Sequence, residues 1–168
     1  MQTSNLAGGG LCHDICAVKK PRIYLDSCCF NRPFDDLTQE RVRLESEAVL
    51  SIINQCELGR WDIYKGDVLD EEMNRMTNVF KKLKVMRLYS SATLFIEIND
   101  TIINRAKYFQ NEFKTGTFDS LHLASAEYAG ASILLTTDMK FIRRMFASDM
   151  AIRVTNPVVW LTEVMFSD

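Results

Sequence analysis

Five short apolar segments, separated by stretches with helical spacing, set the limits on how this chain can fold. Arg22 to Asp26 (RIYLD), Trp61 to Lys65 (WDIYK), Thr93 to Ile98 (TLFIEI), Ser132 to Thr136 (SILLT) and Ile152 to Thr155 (IRVT) read as strands. Between them lie amphipathic helices. Val42, Val49, Ile52, Ile53 and Cys56 share one face of a long helix, and Val68, Leu69, Met73 and Met76 mark a second. A third runs from about Asn78 to Tyr89, and a fourth holds Ile102, Ile103, Ala106 and Phe109. Phe118 to Ala129 is a fifth, Phe141, Ile142, Met145 and Phe146 lie on a short sixth, and Trp160 and Leu161 on the last. Strands alternating with helices predict an α/β domain, a parallel sheet with both faces covered.

Local signals place the ends. Asp36 and Gln39 have capping-box spacing before the long helix, and Gly59 is set to end it. Asp67 can cap the next helix, and Asn99 or Asp100 the one after the third strand. Asn156 followed by Pro157 opens the last. The segment NRPFDD (31–36) reads as a loop. Residues 1–20 have little apolar periodicity and contain GGG, so a flexible extension is expected there, with one domain over 21–168.

A chain of 168 residues fits one domain with a full core. The net charge of -2 excludes a strongly basic protein that coats nucleic acid, though not a nuclease whose acidic site offsets basic contacts elsewhere. The 5 cysteines form no disulfide framework, and the N-terminal stretch is too polar for a signal-peptide core. No segment approaches the roughly 18 apolar residues of a membrane span. A cytoplasmic protein with reduced thiols is expected. Cys12, His13 and Cys16 lack the further ligands of a closed zinc site, and Cys28 and Cys29 read as small apolar packing groups.

In parallel sheets, ligands bind at the carboxyl ends of strands. Two acids stand at such ends, Asp26 and Asp138. Capping of the next helix explains Asp138 adequately, and explains Asp26 less well because a loop follows it. Phosphate loops of the G-x-x-x-x-G-K-[ST] type, dinucleotide glycine patterns and G-x-S-x-G elbows are all missing. An aspartyl-phosphate phosphatase wants a second Asp where Cys28 stands. Carboxylate chemistry with a hard cation such as Mg²⁺ remains: the cation takes oxygen ligands and neutralises charge on a phosphate.

Four segments now carry a family resemblance: IYLDSCCFNRPFDD (23–36), VLDEEM (68–73), TFDSLHLASAEYAGA (117–131) and ILLTTDMKF (133–141). In this order they resemble a PIN domain, in particular the branch with the VapC-type toxins. The resemblance implies a three-layer α/β/α fold around a five-stranded parallel sheet. It implies an endoribonuclease dependent on Mg²⁺ or Mn²⁺, with Asp26, Glu72, Asp119 and Asp138 as catalytic metal-holding acids and Ser27 as a hydroxyl beside them. RNA is then the substrate and a small antitoxin protein a partner. A homodimer is a family expectation that the sequence does not itself demonstrate. A non-toxin RNA-processing nuclease and a catalytically silent interaction module are the alternatives.

Helix geometry decides between the two glutamates of VLDEEM. At about 100° per residue, Glu72 falls roughly 40° from the centre of the apolar face, while Glu71 falls well outside it. Asp119 and His122 share a face of their helix, with Leu121, Ala124 and Tyr128 expected on the core side. His122 is read as structural and not as a general base. Of two basic runs, Lys81–Lys82–Lys84–Arg87 and Lys140–Arg143–Arg144, the second lies nearer the expected cleft and could contact RNA phosphates.

Overall fold

The computed structural model describes residues 20–146, 148 and 150–167. Five parallel strands form one sheet in the order β3-β2-β1-β4-β5. They are β1 (Arg22–Leu25), β2 (Asp62–Gly66), β3 (Leu94–Ile96), β4 (Ile133–Leu135) and β5 (Val154–Thr155). The helices are α1 (Ser27–Asn31), α2 (Glu40–Glu57), α3 (Asp67–Asn74), α4 (Val79–Tyr89), α5 (Asp100–Phe113), α6 (Thr117–Tyr128), α7 (Met139–Phe146) and α8 (Pro157–Phe166). The flexible extension and the Cys12–His13–Cys16 group lie almost wholly outside the described residues. Among those described, no helix is long and apolar enough to cross a membrane.

The apolar strand residues are buried because helices pack against both sides: α2 with α8, and α3 and α5 with α6. Ile23, Leu25, Ile63, Leu134 and Leu135 are fully enclosed. Register pairs Ile23 with Ile63 on one side and with Ile133 on the other. From β1 the chain builds outward through β2 and β3, then returns to β4 on the other side. The switch of direction therefore lies between β1 and β4, where a parallel sheet opens a crevice at its carboxyl edge. Asp26 and Thr136 follow directly on those two strands.

Several strands are shorter than their apolar runs. The flanking residues still donate to the ladder, as Thr93 N does to the Ile63 carbonyl (2.9 Å) and Ser132 N to that of Arg22 (2.7 Å). The expected loop after Asp26 is instead α1 and a 3-10 turn at Arg32–Phe34. Asp36 does not cap α2. Its Oδ1 accepts from Thr38 N (3.1 Å) and Thr38 Oγ1 (2.7 Å), closing a side-chain turn before a helix that starts at Glu40. Asp67 likewise caps nothing and accepts instead from Ile98 N (2.8 Å), which fastens the chain after β3 to the start of α3. Asn99 and Asn156 do cap α5 and α8, and Gly59 ends α2 at a positive φ.

Glu45 on α2 is a buried acid that the apolar pattern did not foresee. Its Oε1 accepts from Arg41 Nε (2.9 Å) and Asn156 Nδ2 (2.7 Å), and Oε2 lies 3.0 Å from Arg32 Nε without the alignment of a hydrogen bond. Arg41 also donates from Nη2 to the Thr137 carbonyl (2.8 Å), so this network holds the segment that follows β4.

Gly66, which leads into α3, sits opposite Ile96 in the β2–β3 register, and a Cβ there would collide with the Ile96 carbonyl. Tyr89 Oη accepts from Gly66 N (2.9 Å) over the same spot. Close approach requires the glycine, since its φ of 167° is ordinary extended backbone. Gly66→Ala should lower unfolding free energy by about 1–3 kcal/mol, the usual overpacking range. Urea denaturation checks it, and an unchanged midpoint would mean that β3 shifts freely.

Candidate metal centre

At the switch point, acids from two elements converge on an imidazole from a third. Asp26 follows β1 and is only 6% exposed. Its Oδ2 accepts from Thr136 Oγ1 (2.7 Å) and from the Cys28 thiol (3.2 Å), and Ser27 Oγ lies 3.4 Å from Oδ1. His122 on α6 is fully buried. Its Nε2 lies 2.6 Å from Glu72 Oε2 and 3.4 Å from Asp26 Oδ1, while Nδ1 lies 2.9 Å from Tyr24 Oη. Asp26, Glu72 and His122 each offer a donor atom, and these atoms lie within 4.8 Å of one another. Donors that close can surround a single ion.

The two glutamates of α3 separate as the helix geometry requires. Glu72 points inward to His122 with its side chain 23% exposed. Glu71 points outward at 55% and pairs with Arg75 (2.9 Å). Asp119, at the start of α6, is half-buried beside this cluster. Asp138 stands at the exposed rim, where its Oδ1 accepts from Lys140 N (2.7 Å) and Phe141 N (3.2 Å). It thus caps α7, as its place before that helix predicts. Its own N–H donates to Thr136 Oγ1 (3.2 Å), which links it to Asp26 through one hydroxyl. Asp119 and Asp138 do not belong to the tight donor group, although both of their charges reach the cleft.

A PIN-domain family profile matches residues 23–146, a span that contains every one of these groups. The chain belongs to the PIN-domain family. The PIN domain's fold is similar to that of VapBC-1 from nontypeable Haemophilus influenzae, with 15% identity, 81% of this chain and 98% of that one covered, and a TM-score of 0.52. A second similar structure, PAE2754 from Pyrobaculum aerophilum, has 10% identity, coverage of 88% and 91%, and a TM-score of 0.47. At such identities the likeness speaks to the fold alone. A comparison with curated protein sequences gave no match.

Within this PIN domain the structure assigns more neighbours to the acids than the motifs suggested. Thr136 and Tyr24 hold Asp26 and His122 in place, and neither stands out in a strand of apolar and aromatic residues. Cys28 is half-buried with its thiol against Asp26 and Thr136, and is not simply a packing group. The buried face of α6 also differs from expectation: Ser120, His122, Leu123 and Ala126 are enclosed, whereas Tyr128 is 57% exposed. Small residues at 120, 124, 125 and 126 let α6 approach the sheet closely, which brings His122 inward. In the first basic run, Lys81 pairs with Asp35 (2.8 Å) and Lys82 with Asn74 (3.2 Å). Lys140 and Arg143 of the second run stay exposed.

Electrostatics at the site are unbalanced. Burial, then the charges of Asp26 and Asp138, raise the Asp119 carboxyl above the usual carboxylate range. Burial pulls the His122 imidazole down, but the Asp26 charge and the Glu72 hydrogen bond together lift it above its ordinary value. A raised acid contributes stability below its unfolded pKa and loses it as pH rises through the folded one. Asp119→Asn should therefore raise the melting temperature of chelator-treated protein near neutral pH. The gain should be below about 1 kcal/mol, since solvent screens a half-exposed group. It should vanish in acid and be erased by Mn²⁺. A lower metal-free melting temperature near neutral pH would contradict the raised pKa.

Proposed function

We propose that this PIN domain is a metal-dependent endoribonuclease that hydrolyses RNA phosphodiester bonds. The observation that carries the reading is the convergence of Asp26, Glu72 and His122 within 4.8 Å at the carboxyl edge of the sheet, with Asp119 beside them. The donor set fits a hard or borderline divalent cation: carboxylate oxygens dominate, and their mutual repulsion has one imidazole to offset it. Asp26, Glu72 and Asp119 would hold Mg²⁺ or Mn²⁺, with Asp138 at the rim. Such an ion, when bound, supplies charge neutralisation on a phosphate and a more acidic water.

The chain's own residues do the rest. Thr136 and the Cys28 thiol hold one oxygen of Asp26 and the His122 ring stands beside the other, so that carboxylate is oriented before any ligand arrives. His122, held at Nδ1 by Tyr24, fixes Glu72. Lys140 and Arg143, which follow Asp138 in sequence, are exposed cations that would meet phosphates and steer RNA toward the cleft. Hydrolysis leaves 5′-phosphate and 3′-hydroxyl ends. The protein serves as the toxin of a pair, with a small antitoxin as its partner, in keeping with the VapC-like motifs and with a fold similar to that of VapBC-1. A short reading frame beside the gene, and growth inhibition on expression without it, support that part. The absence of both favours a non-toxin RNA-processing role.

Purified protein should cleave total RNA with Mg²⁺ or Mn²⁺ and lose cleavage in excess EDTA. Asp26→Asn should abolish it. Undiminished cleavage in EDTA sinks the mechanism. Metal titration calorimetry separates the glutamates: Glu72→Gln should weaken Mn²⁺ binding about 10–100-fold, as loss of a ligand or its orienting bonds does. Glu71→Gln, which removes only an exposed ion pair, should leave metal affinity unchanged. The reverse order would mean that α3 is rotated from its observed setting.

A further inference from the structure

Helix α4 turns an apolar row away from the core. Val85 and Tyr89 hold the helix inward, and Tyr89 Oη accepts from Gly66 N (2.9 Å) beneath it. Its outer side carries Val79, Phe80, Leu83 and Met86. Met86 is 45% exposed and Phe80 81%, with the other two between. Val79, Leu83 and Met86 follow at spacings of four and then three residues, so they form one row along the helix with Phe80 beside it. Such a row is the seam by which one helix packs on another, yet here it faces solvent. A contiguous apolar surface of this kind marks an interaction site.

The charges around the row have one sign. Lys81, Lys82, Lys84 and Arg87 are all on α4, and the helix carries no acid. The elements packed most closely on it, α1 and the 3-10 turn at Arg32–Phe34, contain none either. Lys81 is answered by Asp35 (2.8 Å). Lys82 donates to the Asn74 amide oxygen (3.2 Å), and Lys84 lies 6.0 Å from the Phe34 ring centroid. Among the described residues, Lys82, Lys84 and Arg87 pair with no acid. At about 100° per residue, Lys82 flanks the row on one side and Arg87 on the other.

These features select the occupant. A second copy would set the same cations against each other, and like charges across an interface are penalised. RNA would meet the cations, but its bases need aromatic faces, and the row is aliphatic except for Phe80. A helix with an apolar stripe and acidic edges answers both features, since the stripe interlocks with the row and the carboxylates meet Lys82 and Arg87. We propose that the outer face of α4 docks an amphipathic helix of a partner protein that brings acidic side chains to the edges of its apolar stripe. Helix α4 carries none of the metal-centre residues, so the inference does not depend on the chain cleaving RNA.

Fluorescence anisotropy on the full chain tests it, with two synthetic helical peptides of about three heptads as probes. Both carry leucine along the stripe. One has glutamate at the edges and the other lysine. Wild-type protein should bind the glutamate peptide about tenfold or more tightly than the lysine peptide, and added salt should narrow the difference. Leu83→Ser should weaken the glutamate peptide about tenfold, the scale of one leucine left in water. Lys82→Glu combined with Arg87→Glu should reverse the preference. These side chains lie at the surface, so melting temperatures should hold. Equal affinity for the two peptides overturns the inference, as does a charge reversal without effect. Failure of wild-type protein to bind the glutamate peptide at high micromolar concentration overturns it too. A dimer in light scattering that Leu83→Ser dissociates also overturns it, and gives the row to a second copy. Displacement of the glutamate peptide by single-stranded RNA gives the row to nucleic acid instead.

Discussion

The arrangement turns on one carboxylate, Asp26, placed where a charge is costly. It sits at the end of the central strand, enclosed by β4 and three helices. The effective penalty for burying an ion in protein is several kcal/mol unless neighbours answer it. Thr136 from β4 and the Cys28 thiol from α1 meet one oxygen, and His122 from α6 stands by the other. Glu72 from α3 then shares the same imidazole, and Tyr24 fixes its far nitrogen. The elements that meet at the topological switch are thus tied to each other through this one acid and its histidine.

Among the described residues, two buried acids contrast. Glu45 is answered by two guanidinium groups and an amide, so its charge is satisfied within the chain. That network is structural, joining α2 to the cap of α8 and to the backbone after β4. Around Asp26, the carboxylates of Glu72 and Asp119 add negative charge, and among the described residues His122 is the only basic group in close contact. Burial, and after it the charges of Asp26 and Asp138, raise the Asp119 carboxyl. A cluster in this state is costly alone and favourable with a divalent cation, which is how a folded chain stores affinity for one.

The sequence made the sheet legible because strands buried on both faces must be apolar throughout, and the intervening helices carry a 3.6-residue stripe. The rotation of α3 was equally legible, since Val68, Leu69 and Met73 fix the inward direction and Glu72 falls on it. What could not be read was chemistry carried by residues that look like core. Tyr24 and Thr136 lie among apolar neighbours, and only strand order reveals that they face the same cleft. Asp36 and Asp67 have the spacing of caps, yet a short polar side chain can bond to any nearby N–H, and tertiary contacts decided which. On α6, Ala124 faces the core as its spacing predicts, whereas Tyr128 is exposed because small residues, and not large ones, mark the close face.

In the proposed function these acids form a preorganised divalent-metal site. A crystal soaked in Mn²⁺ and measured for anomalous scattering tests it most directly. One strong peak is expected in contact with Asp26 and Glu72 and on the Asp119 side of the cleft, with the Tyr24–His122 hydrogen bond kept. No peak at millimolar Mn²⁺, or a peak away from Asp26, would contradict it.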